Sequence, residues 1–129
     1  MDGKRGPGMA KIINLTTFTD ARGNLTVIEK VLPFAIKRIF YIYGIDNSVR
    51  GGHRHRRTRQ AAIALQGSCR ITNNDGTTRE LFVLDSPAKC LLLEPADWHQ
   101  MHDFTPDAIL MILASKYFDP DDYIYEEYP

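Results

Sequence analysis

Residues 50–71 read RGGHRHRRTRQAAIALQGSCRI, and this stretch decides the fold. Side chains alternate across an extended backbone, so a strand through His53 and His55 turns both imidazoles to one face. Gly51 and Gly52 just before them let the backbone bend. After the polar run Arg56–Arg59, Gln60–Leu65 is a short apolar segment bounded by the turn signal Gln66–Gly67. That is the pattern of a buried strand. Ser68–Asn73 then alternates again as the returning strand.

The same rhythm continues in both directions. Strands are expected over Lys11–Phe18, Leu25–Val31, Ala35–Tyr43, Leu81–Leu84, Ala88–Leu93 and Ala108–Ala114. Turn signals separate them at Asp20–Gly23, Gly44–Asn47, Asn74–Gly76, Ser86–Pro87 and Thr105–Asp107. Asn74, Asp75 and Gly76 suit the positive-φ positions of a hairpin. No strand–helix–strand alternation interrupts the series. Many short, closely spaced strands predict an all-β antiparallel sandwich or barrel. The sole helical candidate is a capped turn over Asp119–Tyr125, introduced by DPDDY.

The chain has 129 residues, enough for one domain with a core of its own. Its 16 basic and 16 acidic side chains balance, which gives no electrostatic reason to expect nucleic acid or a membrane surface. No apolar stretch approaches the ~20 residues of a membrane span. Cys69 and Cys90 are isolated within apolar runs, so they read as buried thiols in a reducing, cytoplasmic setting. Residues 1–10 are polar and glycine-rich and are expected to be disordered, leaving 11–129 as the single domain.

All four histidines fall in two clusters, His53 with His55 and His99 with His102. If the second cluster is extended, His99 and Met101 share a face and His102 takes the other. A histidine titrates near working pH and can move a proton from a carbon beside a carbonyl to the next carbon. Such chemistry needs a base, a donor for the developing oxyanion and a dry pocket. His53 and His55 are candidates for base and partner, and Arg50 or His99 for the oxygen.

The spacing of His53, His55, Gln60 and Gly67 resembles the first cupin motif. Pro95 to His99 is a looser match to the second, with Asp97 where glycine is usual. The resemblance implies a cupin-type jelly-roll barrel with a short C-terminal helical turn. Metal-binding cupins usually carry glutamate at the position of Gln60. A neutral amide is a poor replacement for a carboxylate, which favours a metal-independent reaction without a cofactor. A three-histidine site completed by His99 stays open.

Residues 50–71, the strand FAIKRIFYI before them, DSPAKCLLLEPADWHQMHDF after them and the ending LASKYFDPDDYI together resemble the dTDP-4-keto-6-deoxyglucose 3,4-ketoisomerases. These are small cupins that make 3-keto sugars for bacterial surface glycans such as O-antigens. The resemblance implies a dTDP-linked keto-sugar substrate, with His53 as proton shuttle, His55 as its partner and Arg50 beside them. The segment Trp98–Phe104 matches a family motif, which places His99 and Met101 along the pocket. Arg22, paired with His99, points to the subgroup whose product is galacto-configured at C4.

Arg22, Arg38 and Arg59 are candidates for the diphosphate, with Gln60 nearby, while Arg70 reads as a surface residue. Tyr43 or Trp98 could form a platform for the base, and His102 with Asp103 reads as a structural hydrogen bond. Phe40 stands where the family commonly has tyrosine, and Arg54 where a small residue is frequent. The resemblance also implies a homodimer with an exchanged N-terminal strand, in keeping with an apolar IINL segment that has no nearby hairpin partner. A 3,5-epimerase, a metal-dependent cupin enzyme and a non-catalytic sugar-nucleotide binder are the competing readings.

Overall fold

A computed structural model describes residues 10–129. The expected disorder of residues 1–10 therefore lies almost wholly outside the described residues; Ala10 itself is packed in the core. The strands are β1 (Lys11–Asn14), β2 (Thr16–Asp20), β3 (Gly23–Val27), β4 (Arg38–Ile42), β5 (Arg50–His55), β6 (Gln60–Gln66), β7 (Cys69–Asn74), β8 (Arg79–Leu84), β9 (Lys89–Leu93), β10 (Trp98–His102), β11 (Ile109–Ala114) and β12 (Tyr123–Ile124). One 3₁₀ turn, Pro120–Asp122, precedes β12 and is capped by the Asp119 side chain.

Two five-stranded antiparallel sheets face each other, in the orders β1-β9-β6-β11-β4 and β12-β5-β10-β7-β8, and β2–β3 forms a separate hairpin. This is the jelly-roll arrangement of a cupin. Ala62, Ala64, Leu91, Leu93, Leu110 and Ile112 of the first sheet meet Cys69, Ile71, Leu84 and Met101 of the second, forming the main core. The opposite face of the first sheet is also covered. Ala61, Ile63, Cys90, Leu92 and Leu113 pack under Leu15, Ile28, Leu32 and Phe34. Burial on both faces is why QAAIAL, KCLLL and ILMILA lack polar alternation. Both cysteines are free and buried, and burial raises each thiol to about 11, which makes them chemically quiet packing residues.

Several expected strands change bounds. Lys11–Phe18 divides at Leu15, a buried residue whose N–H donates to the Ala88 carbonyl. Leu25–Val31 stops at Val27 because the chain then turns to cover the first sheet. Ala35–Tyr43 shortens to Arg38–Ile42, the part registered against β11. Within the chain, β1 pairs with β9, Lys11 opposite Leu92 and Asn14 opposite Lys89, so the partner of the IINL segment is distant in sequence. The element left projecting is the β2–β3 hairpin, with Phe18 and Leu25 exposed.

Candidate active site

β5 and β10 lie side by side in the second sheet, with His53 opposite His99. Their register shifts between His99 and Gln100, where Gly51 and Gly52 both adopt positive φ. A Cβ on Gly51 would lie 3.0 Å from the His99 carbonyl oxygen, so only glycine permits this approach. The bend gathers three imidazoles. The His53 ring centroid is 5.0 Å from that of His55 and 5.1 Å from that of His99, edge-on to both.

His53 faces a cavity of about 130 Å³ between the sheets. Arg38, Phe40 and Ile42 of β4 form one wall, Arg50 and Gly51 of β5 another, and Gln60, Met101 and Tyr123 close it. The predicted parity of the second histidine cluster is observed. Met101 lines the cavity, His99 lies against His53, and His102 turns away to bridge Thr72 (2.7 Å) and Asp103 (2.8 Å).

The hydrogen bonds assign the nitrogens. His99 Nδ1 lies 3.0 Å from the Asp97 backbone carbonyl, which can only accept, so Nδ1 carries the hydrogen and Nε2 keeps its lone pair. His55 Nδ1 lies 2.8 Å from Asp122 Oδ2, with both side chains almost fully buried. The other Asp122 oxygen accepts from the backbone N–H groups of Arg56 (3.1 Å) and Arg57 (2.7 Å), and the Thr58 hydroxyl donates to Oδ2. Burial opposes the charge on Asp122, but the bonds from Thr58, His55 and Arg57 outweigh it and hold the carboxyl below its usual range. A carboxylate therefore sits behind His55, and the buried Nε2 atoms of both His55 and His99 are without hydrogen-bond partners among the described residues.

Burial dominates the titration of the cluster. His53 is pushed down to about 4, with the neighbouring His55 adding to the shift, and His99 to about 3. His55 is also lowered by burial, with Asp122 acting against it. All three imidazoles are thus neutral at pH 7 and able to accept a proton. Asp97 is opposite in sense: burial raises it to about 7 despite hydrogen bonds from Asn73 and the Glu94 N–H.

The two kinds of group give opposed pH dependences. His53 and His99 bind protons more readily in the unfolded chain, near 6.5, than in the fold. Their contribution to stability is whole above pH 6.5 and is lost as pH falls through about 4 and then about 3. The contribution of Asp97 is whole below 3.8 and is lost as pH rises through about 7. Two histidines outweigh one carboxyl, so the thermal midpoint is expected to fall between pH 6.5 and 4. Asp97→Asn removes the opposing contribution and should steepen that fall. A flat or rising midpoint toward acid, measured by calorimetry, would contradict the assignment of buried neutral imidazoles.

Four expected binding residues lie elsewhere. Trp98 is buried and its indole N–H donates to the Tyr125 carbonyl (3.1 Å), which ties down the C-terminal tail without lining the cavity. Arg59 is held by Glu94 (2.9 and 3.1 Å) and the Pro33 carbonyl (2.8 Å), away from the histidines. Arg22 is exposed at the hairpin tip on Asp20 (2.6 Å). Tyr43 stacks on Tyr41 on the outer face of β4 and cannot serve as a platform in this cavity. Of the candidate arginines, Arg38 and Arg50 reach the cavity.

The structure adds two residues from the tail, Asp122 behind His55 and Tyr123 on the cavity wall, where the Tyr123 ring lies 4.7 Å from those of both His53 and His55. DPDDY gave no sign of this, because three nearby aspartates look alike until the turn buries one of them. Among the described residues, no three His, Cys, Asp or Glu side chains are grouped to share a metal ion.

A family model, FdtA, described as WxcM-like, C-terminal, matches residues 9–128. Over 117 residues the chain is 45% identical to a TDP-4-oxo-6-deoxy-α-D-glucose-3,4-oxoisomerase from Aneurinibacillus thermoaerophilus, covering 88% of this chain and 84% of the relative. A 3,4-ketoisomerase structure from Helicobacter canadensis superposes with a TM-score of 0.87 at 37% identity, covering 91% and 90% of the two chains. A mutant of the 3,4-ketoisomerase QdtA from Thermoanaerobacterium thermosaccharolyticum, in complex with TDP-4-keto-6-deoxyglucose, gives 0.87 at 36% identity, covering 91% and 87%.

Proposed function

Because the chain belongs to the FdtA family of WxcM-like C-terminal domains, we propose that it is a 3,4-ketoisomerase acting on dTDP-4-keto-6-deoxy-D-glucose. The observation that carries this reading is a neutral His53 on a cavity shared with two arginines, in a chain 45% identical to a protein of that activity. The C4 carbonyl acidifies the hydrogen on C3. His53 takes that proton, leaving an enediolate across C3 and C4. Arg50 and Arg38 supply positive charge at the cavity wall for the oxyanion and the diphosphate. Passage of the O3 proton to O4 and return of a proton to C4 leave the carbonyl at C3 and a hydroxyl at C4. The change is redox-neutral within one molecule, so the chemistry itself calls for no cofactor.

Tyr123 brings a phenol to the cavity that Phe40 also lines, which offers a hydroxyl where the family's usual tyrosine is missing. The product is galacto-configured at C4, a reading that rests on the likeness at Arg22 and His99. Arg22 would act from the hairpin of a second copy, in a homodimer supported by the exposed Phe18 and Leu25 of that hairpin and by Ile39 and Tyr41 on the outer sheet face. No helix among the described residues is long and apolar enough to cross a membrane. We read it as a cytoplasmic enzyme that supplies a 3-keto sugar for surface-glycan synthesis, a reading that rests on the likeness to the ketoisomerases and on two buried free thiols.

The test is an NMR time course with dTDP-4-keto-6-deoxyglucose in deuterated buffer, with and without EDTA. The expected result is a 3-keto product carrying deuterium at C4, formed at the same rate in both. Inversion at C3 or C5 with the carbonyl still at C4 would make the protein an epimerase. Arrest by EDTA with rescue by metal would overturn the metal-independent mechanism, and binding without turnover would leave a sugar-nucleotide-binding protein.

A further inference from the structure

We infer that Asp122 is a positioning residue, which fixes His55 in the tautomer whose lone pair lies on Nε2 and so keeps the His53–His55 pair able to accept a proton. The inference rests on the proton-transfer reading of these two histidines, but its first test does not. Asp122 comes from the 3₁₀ turn that precedes β12, and that strand pairs with β5, Tyr123 opposite His55 and Ile124 opposite Arg54. The C-terminal tail thereby delivers a carboxylate to the back of a histidine 67 residues earlier in the chain.

Each oxygen of Asp122 has distinct partners. Oδ1 accepts from two backbone N–H groups, those of Arg56 and Arg57, which can only donate. Oδ2 accepts from the Thr58 hydroxyl and from His55 Nδ1. A carboxylate cannot donate, so His55 must place its hydrogen on Nδ1. Nε2 is then the unprotonated nitrogen, the one not engaged by Asp122. The buried Nε2 makes no hydrogen bond within the described chain, and the His53 ring lies edge-on 5.0 Å away.

The same bonding pattern predicts what an amide would do. In Asp122→Asn the two backbone N–H groups still require an oxygen, so the amide oxygen stays at the Oδ1 position and the NH₂ group replaces Oδ2. That NH₂ donates to His55 Nδ1, which must give up its hydrogen. His55 changes to the Nε2–H tautomer and loses its free lone pair, with almost no change in side-chain volume. The substitution therefore acts on the proton position and not on packing.

Long-range ¹⁵N–¹H correlation spectra of histidine-labelled wild-type protein at pH 7 are expected to show His55 with a protonated Nδ1 and an unprotonated Nε2. In Asp122→Asn the two signals should exchange character. Turnover should fall on the order of 10²-fold, the range of a lost acid–base contribution, with KM and dTDP affinity within about threefold. A wild-type His55 protonated on Nε2 overturns the inference, and this can be read even if the variant does not fold. An Asp122→Asn protein that is folded, has switched tautomer and turns over at the parental rate also overturns it. If the parent shows no ketoisomerase activity while the tautomers are as expected, the proposed function fails and the role of Asp122 in fixing the imidazole stands.

Discussion

His53→Asn is expected to lower turnover by roughly 10³-fold while nucleotide-sugar affinity stays within about threefold, since general acid–base groups contribute about 10²–10⁴. Asparagine can still form hydrogen bonds from this position, but its amide does not accept a proton near neutral pH. No other imidazole is placed to take over. His55 is 5% exposed and His99 1% exposed, and neither lines the cavity that His53 faces. Binding should survive because the cavity's positive charge comes from Arg38 and Arg50, which the substitution leaves in place. Turnover by NMR and dTDP affinity by calorimetry separate the two quantities. A variant within tenfold of the parent would move the proton carrier elsewhere, with Tyr123 the next candidate on the cavity wall. Loss of binding in a folded variant would make His53 a ligand contact.

The largest loss of stability is expected from Gly67→Ala, at roughly 2–4 kcal/mol. Gly67 has φ +65°, a left-handed conformation that costs an alanine about 1–2 kcal/mol. Space is a second problem. A Cβ there would overlap Thr105 Oγ1 and lie 2.7 Å from Asp107 Oδ1 and 2.9 Å from the Ala108 Cα. Overpacking of this kind costs about 1–3 kcal/mol. Thr105 cannot easily withdraw, because its hydroxyl accepts from Ser68 N–H (2.9 Å) and its own N–H donates to the Ser68 carbonyl (2.9 Å). These bonds join the β6–β7 turn to the loop before β11. The thermal midpoint should drop by roughly 10 °C. None of these residues lines the histidine cavity, so turnover of the folded protein at 25 °C should be unchanged. A drop below about 3 °C would show that the loop yields without cost.

Much of the architecture was legible in the amino-acid order because its causes are local. Turn residues lie close to the observed ends of β6, β7 and β9, and the Asn74–Gly76 signal begins at the last residue of β7 and runs into its connection with β8. Alternation along β5 and β10 told correctly that His53 and His55 share a face and that His102 departs from His99 and Met101. The motif spacing of His53, His55, Gln60 and Gly67 led to the jelly roll. Even the quiet thiols followed from apolar neighbours.

What remained hidden depends on which strand lies beside which. The partner of β1 is β9, and no feature of IINL names it. Arginines are read from sequence by charge alone, whereas the direction of Arg59 in the fold is set by Glu94, 35 residues away. The hydrogen bond from Trp98 to the returning tail is equally hidden, since Tyr125 lies 27 residues further along the chain. Asp122 is the clearest case, since Asp119 and Asp121 stand beside it with the same chemistry. A strand's two-residue period is a property of its own backbone, so the sequence by itself determined the strands, their faces and the pairing of His53 with His55. The carboxylate behind His55, the arginines that reach the cavity and the tail that closes it were decided only by tertiary structure, because their positions come from contacts between segments far apart in the chain.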